Sequence, residues 1–183
     1  MNAEDDRTLT GGHMLSDHRV VFSLGSNLGD RLDNLQEAVD ALFDAPGLTV
    51  RAISRVYETA PWGGVEQDDF LNVVVVASTR LAPMTLLDRV LSIEESMRRE
   101  RVVRWGPRTL DIDIVLYEGV TSADPALMLP HPRAHERAFV LSPWLELDPE
   151  AVLEPHGRVA DLVAGLTDQV VTVRDDLALQ LPS

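Results

Sequence analysis

"FLNVVVVAST", Phe70–Thr79, decides the fold. Consecutive valines lose side-chain freedom in a helix and pack well in a buried strand, so this run is read as a central strand. Upstream, Ala60–Asp69 is a long loop with two adjacent glycines, and Val50–Thr59 is strand-like. Leu32, Leu35, Val39 and Leu42 recur at helical spacing, with Asp30 as N-cap and Pro46-Gly47 as the stop. Val20–Leu24 is a first short strand. Downstream, Pro83 suits a first helical position, and Leu86, Leu87, Val90, Ile93 and Met97 continue that helix. Asp111–Tyr117 is the next strand, and "SADPALMLPHPR" after it reads as a proline-punctuated loop. His135–Leu147 reads as a short helix, interrupted or bent at Pro143, followed by a possible helix near Val159–Gly165 and a strand at Val170–Val173. The order β-α-β-β-α-β predicts an α+β, ferredoxin-like core, an antiparallel sheet with helices packed on it, plus C-terminal additions.

The chain has 183 residues, 45% hydrophobic and 25% charged, which predicts one domain. Residues 1–18 are polar and acidic and read as a disordered tail, or as an over-called start with Met14 the initiator; 19–183 form the domain. The absence of cysteine excludes a disulfide framework and fits a cytoplasmic protein. No apolar run reaches membrane-span length, and the start lacks signal-peptide character. A net charge of −14 argues against a nucleic-acid partner. All 16 basic residues are arginine, and Arg98, Arg99, Arg101, Arg104 and Arg108 lie close together, either as a solvated charged face or as an anion site. Without lysine there is no phosphate-binding Walker motif.

Asp111 and Asp113 alternate onto one face of their strand, with Ile112, Ile114 and Leu116 on the other. Their Cβ atoms stand roughly 6.5–7 Å apart. Alone, the pair can simply face water. Beside the arginines it has the layout of a metal–polyphosphate site, because Mg²⁺ uses one or two carboxylates and completes its shell with substrate phosphates and water. Asn72, within the valine strand, is either satisfied by neighbouring backbone or reads the edge of a flat heterocycle. Phe70 lies on the same strand face, and Phe139 is a second candidate stacking ring, although each is an ordinary core residue type. His131 and Arg137 are candidate phosphate contacts. Trp62 and Trp105 sit in Gly/Pro-containing loops suited to lids, and Trp144 reads as core.

Together these segments resemble the 6-hydroxymethyl-7,8-dihydropterin pyrophosphokinases of folate biosynthesis. The matching stretches are "LGSNLGDR" at 24–31, "ETAPWGGVEQDDFLN" at 58–72, "RWGPRTLDIDIVLY" at 104–117 and "LPHPRAHERAFVLSPW" at 129–144, within a likeness spanning about Arg19 to Leu153. The resemblance implies transfer of diphosphate from ATP to the pterin hydroxymethyl group, with AMP released. It implies two Mg²⁺ ions on Asp111 and Asp113. It places the pterin against Thr59, Ala60, Trp62, Phe70, Asn72, Trp105 and Phe139. Glu94, Arg101, Arg104, Trp105, Arg108, Ile114, His131 and Arg137 match ATP contacts, and Arg99 and Arg101 match the arginines of a mobile catalytic loop. The small members of the family are expected to work as monomers, with ATP and the pterin as their only partners.

Three positions depart from the family pattern. Arg98 stands where glycine is frequent, the Arg101–Trp105 spacing is one residue shorter than in some members, and Pro132 replaces an aromatic found in others. Two other classes are a ligand-sensing module without chemistry, against which the carboxylate pair, the arginines and Asn72 argue, and a structural interaction domain, which has no use for the buried Asn72 and the arginines.

Overall fold

The computed structural model describes residues 13–61, 66–99 and 110–182. β1 (His13–Ser26) turns into α1 (Arg31–Asp44). The Asp30 carboxylate caps α1 by accepting the Asp33 N–H at 3.0 Å. β2 (Leu48–Ile53), β3 (Tyr57–Thr59), β4 (Phe70–Leu81) and α2 (Pro83–Arg99) follow. Then come β5 (Asp111–Tyr117), a hairpin of β6 (Ser122–Asp124) and β7 (Leu127–Leu129), a 3₁₀ turn at Ala134–Glu136, and α3 (Ala138–Leu147). A short hairpin of β8 (Val152–Leu153) and β9 (Gly157–Arg158), α4 (Val159–Gly165) and β10 (Val171–Val173) complete the described elements.

The fold mixes helices with an antiparallel sheet. The sheet runs β5–β1–β4, with β2 and β3 end to end along the far edge of β4 and β10 outside β3. One face packs on α1 and α2 through Phe22, Leu24, Leu35, Leu42, Leu86 and Val90, all fully buried. The other packs on α3 and α4 through Val21, Val74, Val115, Leu141 and Trp144. Large apolar side chains buried this way contribute about 1.5–3 kcal/mol each. The second face is covered only in part, because α3 and α4 reach Val74 and Val21 but leave the Phe70 and Gly25 end of β4 and β1 open.

Several expectations are corrected. The disordered reading of residues 1–18 fails from His13 on, where β1 already pairs His13 with Leu81 and His18 with Thr79. Polar side chains do not prevent this extension, since backbone pairing carries it and His18 Nδ1 donates to the Glu118 carbonyl at 2.9 Å. The single strand expected over Val50–Thr59 is split, because at Ser54 the hydroxyl takes the place of the backbone acceptor: it accepts the Val74 N–H at 2.9 Å, while the Ser54 N–H donates to the Val74 carbonyl at 2.9 Å. "SADPALML" is a hairpin rather than a loop, with Asp124 accepting the Ala126 N–H across its turn. The helix expected from His135 is a 3₁₀ turn and then α3, and Pro143 lies inside α3. Arg98 and Arg99 belong to α2, not to a loop.

The largest correction concerns β5. Its register shifts from Val21↔Leu116 to Phe22↔Ile114, so Val115 is an extra, bulged residue. Ile112 and Ile114 face the α1–α2 core as expected, but the bulge turns Leu116 onto the α3 side. The Val115 carbonyl, released from the ladder, accepts the His131 N–H at 2.8 Å.

β3 is pinned to α3 by Glu146, which accepts from the Arg55 guanidinium at 2.6 Å, the Arg55 N–H at 2.8 Å and the Tyr57 hydroxyl at 2.8 Å. Partial burial pushes the Glu146 carboxyl up, but these hydrogen bonds outweigh it and hold its pKa below the ordinary 4.5. A depressed folded pKa gives stability that is present above 4.5 and lost as pH falls through the folded value. Glu146→Gln is therefore expected to lower the melting temperature at pH 7 by about 2–4 °C, a gap that closes as pH falls below 4.5 and through the folded value. Thermal melts of both proteins across that range check this.

Candidate active site

The open end of the sheet is the floor of a cleft of about 310 Å³. A row of partners crosses it: Asn72 on β4 faces Gly25 on β1, which faces Asp111 on β5. One step along, Ser23 faces Asp113. On the other side Phe70 pairs with Thr59 of β3. Asn72 is 2% exposed, and its Nδ2 donates to Thr59 Oγ1 at 2.9 Å. This fixes the carboxamide's orientation. A Cβ on Gly25 would stand 3.0 Å from Asn72 Oδ1, so the missing side chain leaves room for that oxygen. Gly25→Ala is expected to displace the carboxamide and raise KM for the ring substrate about tenfold with the fold retained. Steady-state kinetics beside a circular-dichroism melt test this.

The opposite wall is the start of α3. Arg137 occupies the N-cap position without making a side-chain cap. Its guanidinium lies 5.6 Å from the Phe139 ring centroid and 3.7 Å from Asp113 Oδ2. His131 Nε2 stands 4.0 Å from the same oxygen. The Arg133 N–H donates to His131 Nδ1 at 3.2 Å, which places the proton of the neutral ring on Nε2, facing Asp113. Burial pushes the His131 imidazole pKa down, against the opposing pull of Asp113. Asp113 thus lies between two groups that bind anions.

Glu94 lies beside β5, where its Oε1 accepts the Ile112 N–H at 2.7 Å and so fixes the strand's entrance. Burial raises its pKa, partly offset by that bond. Among the described residues no group of three or more acidic, histidine or cysteine side chains is placed to hold a metal. A pair of carboxylates still fits Mg²⁺, which takes its remaining oxygens from phosphate and water.

Thr59, Ala60, Phe70, Asn72, Asp111, Asp113, Arg137 and Phe139 therefore line one cleft, and His131 touches it through Asp113. The Glu94 carboxylate and the buried Ile114 side chain do not line it. Trp62, Arg101, Arg104, Trp105 and Arg108, with the Arg99 side chain, lie outside the described residues. Ser23, Gly25, Pro61, Gln67, Arg133 and Glu136 also line the cleft and were not expected. A signal existed for the first two, since "FSLG" alternates bulky apolar residues with small ones. The bulky set faces the core and the small set forms the floor.

An antiparallel sheet with helices on both faces and a polar and aromatic cleft at its uncovered end is the layout of a small-molecule enzyme. Residues 21–149 match the model of the 7,8-dihydro-6-hydroxymethylpterin-pyrophosphokinase family. The 2-amino-4-hydroxy-6-hydroxymethyldihydropteridine pyrophosphokinase of Methylorubrum extorquens is 47% identical over 135 residues, 74% of this chain and 85% of that protein. The enzyme of the same name from Mycobacterium tuberculosis is 43% identical over 176 residues, 90% of this chain and 91% of its own. Among solved structures, wild-type Plasmodium falciparum HPPK-DHPS with SDX-DHP is similar with a TM-score of 0.68 at 15% identity. That likeness covers 88% of this chain and 46% of that one, so the chain spans under half of the HPPK-DHPS polypeptide and shares its fold. The chain belongs to the 7,8-dihydro-6-hydroxymethylpterin-pyrophosphokinase family. It is a pyrophosphokinase of folate biosynthesis.

Proposed function

We propose that the cleft holds 6-hydroxymethyl-7,8-dihydropterin at its Asn72 end and the ATP phosphates at its Asp111–Asp113 end. The observation that carries this reading is the row Asn72–Gly25–Asp111, which sets a heterocycle-reading amide and a carboxylate pair on one floor. Asn72 presents its free amide positions to the pterin edge, Thr59 and Ala60 border the ring, and Phe70 and Phe139 stack on its faces. Arg137 and His131 take phosphate oxygens. Ile114 serves ATP through its backbone: Ile112 turns its N–H away from β1 to Glu94, and Ile114, two residues on, turns the same way. Glu94 acts by fixing that edge. Trp62, Arg101, Arg104, Trp105 and Arg108 complete the site from the two loops, and Arg99 from the end of α2, as the family pattern implies.

Asp111 and Asp113 would hold Mg²⁺, with two ions expected, and metal bound there would supply charge neutralisation for the phosphates. The pterin hydroxyl oxygen forms the new bond to the β-phosphorus and gives up its proton to solvent, the bond from the β-phosphorus to the α,β-bridging oxygen breaks, and AMP leaves with that oxygen. The chain's own residues align the two substrates and exclude water, which would otherwise take the diphosphate. The core order, β5–β1–β4 followed by β2 and β3, supports the ferredoxin-like reading, and β10 on the β3 edge supports a single domain over 19–183. We further propose a cytoplasmic monomer with no nucleic-acid or membrane partner.

The test is AMP release from ATP in the presence of Mg²⁺ and the pterin alcohol. AMP equal to the pterin diphosphate formed supports the reading. Nucleotide binding without AMP release would instead assign a sensing module.

A further inference from the structure

The residues after 149 lie beyond the family match, yet they reach both walls of the cleft. Arg137 sits at the N-cap of α3, a position that favours Ser, Thr, Asp or Asn because their side chains satisfy the first free N–H groups. Its side chain is turned to the cleft and makes no cap. Gln169 supplies one from far along the chain: its Oε1 accepts the Ala138 N–H at 2.9 Å, and its Nε2 donates to the Glu136 carbonyl at 2.7 Å. Those two bonds flank Arg137 and fix the first turn of α3, which carries Phe139.

A few residues later β10 pairs with β3, setting Val171 opposite Thr59 and Thr172 opposite Glu58. Arg174 then donates to Glu58 Oε2 at 2.9 Å, and its guanidinium is held from behind by both oxygens of Asp176 at 2.8 and 2.7 Å. The same Glu58 oxygen accepts from Arg31 at 2.9 Å, and Arg31 also donates to the Asp69 carbonyl at 2.7 Å, next to Phe70. Beyond this the chain crosses to the opposite face of the sheet. There Leu177 and Leu179 pack on the α1–α2 core, and Gln180 exchanges hydrogen bonds with Gln36. The segment is therefore anchored on both faces and wraps the β3 edge between them.

We propose that residues 169–176 are a brace that sets the gap between the two aromatic walls, with Gln169 and Arg174 as positioning residues for the ring substrate. Gln169 fixes the Phe139 wall, and Arg174, through Glu58, fixes the Thr59–Phe70 wall. Neither touches the substrate. The proposal rests on the reading that Phe70 and Phe139 hold the ring.

The test compares Gln169→Ala, Arg174→Gln and Phe139→Ala in the full chain, measuring KM for the pterin alcohol and for ATP, kcat and the melting temperature. Gln169→Ala and Arg174→Gln are each expected to raise the pterin KM about tenfold while the ATP KM stays within about twofold. Gln169→Glu, which keeps the oxygen that caps Ala138 but turns a second oxygen toward the Glu136 carbonyl, is expected to recover only part of the loss. Asp175→Ala, whose carboxylate is 78% exposed and bonds only Arg55 in the described structure, serves as the control on the same segment. A loss in melting temperature with both KM values unchanged, or shifted equally, overturns the brace. If Phe139→Ala weakens the pterin and the brace variants do not, the brace fails alone. If Phe139→Ala leaves the pterin KM unchanged, the ring-site reading fails and the brace with it.

Discussion

Asp113→Ala is expected to lower kcat by on the order of 10²–10³-fold, with the melting temperature changed little. Asp113 is 41% exposed at the cleft and packs no core, so its loss leaves no cavity. What it loses is electrostatic. Arg137 and His131 approach the same carboxylate oxygen, which therefore balances the Arg137 charge and faces the His131 ring. Without it the Arg137 charge loses this carboxylate, and of the Asp111–Asp113 pair one carboxylate is left. Asp113→Asn keeps the shape and removes the charge, so it separates the two contributions. If charge is what matters, Asn is as impaired as Ala. Single-turnover AMP release against Mg²⁺ concentration is the measurement, and an Asp113→Ala enzyme within about threefold of wild type would end the assignment. Asp111→Ala is expected to follow it in direction.

The elements that came from local pattern were legible. Leu35, Val39 and Leu42 recur at helical spacing, and that spacing alone placed α1. Phe70 and Asn72 share a face because strands alternate, which needs no tertiary knowledge. What escaped depends on groups far apart in sequence or on broken alternation. The bulge at Val115 obeys no periodicity in "DIDIVLY", yet it turns Leu116 over and frees the carbonyl that seats His131. Ser54 reads as one more strand residue until its hydroxyl takes the Val74 N–H. The cap on α3 comes from Gln169, 31 residues from Ala138, so no window around Arg137 reveals why an arginine can stand there. The cleft floor needed the register of three strands, since Ser23 and Gly25 carry no chemistry and matter by being small.

Asn72→Leu separates the two readings of the buried amide, because they require changes of opposite kind. If Asn72 were structural, replacing it would leave Thr59 Oγ1 without its donor and cost about 1–3 kcal/mol of stability. If it reads the pterin edge, its remaining donor and acceptor are kept unpaired for substrate, and a leucine of similar size removes buried polarity from a valine strand at little cost or with a gain. Catalysis then suffers instead. Two or three lost hydrogen bonds to the ring amount to about 2–4 kcal/mol, or about 30- to 1,000-fold in kcat/KM for the pterin. The ATP KM should move far less, since Gly25 separates Asn72 from Asp111 across the floor. An unchanged or higher melting temperature with pterin kcat/KM down by that factor is the expected result. A lower melting temperature with catalysis intact would return Asn72 to the core.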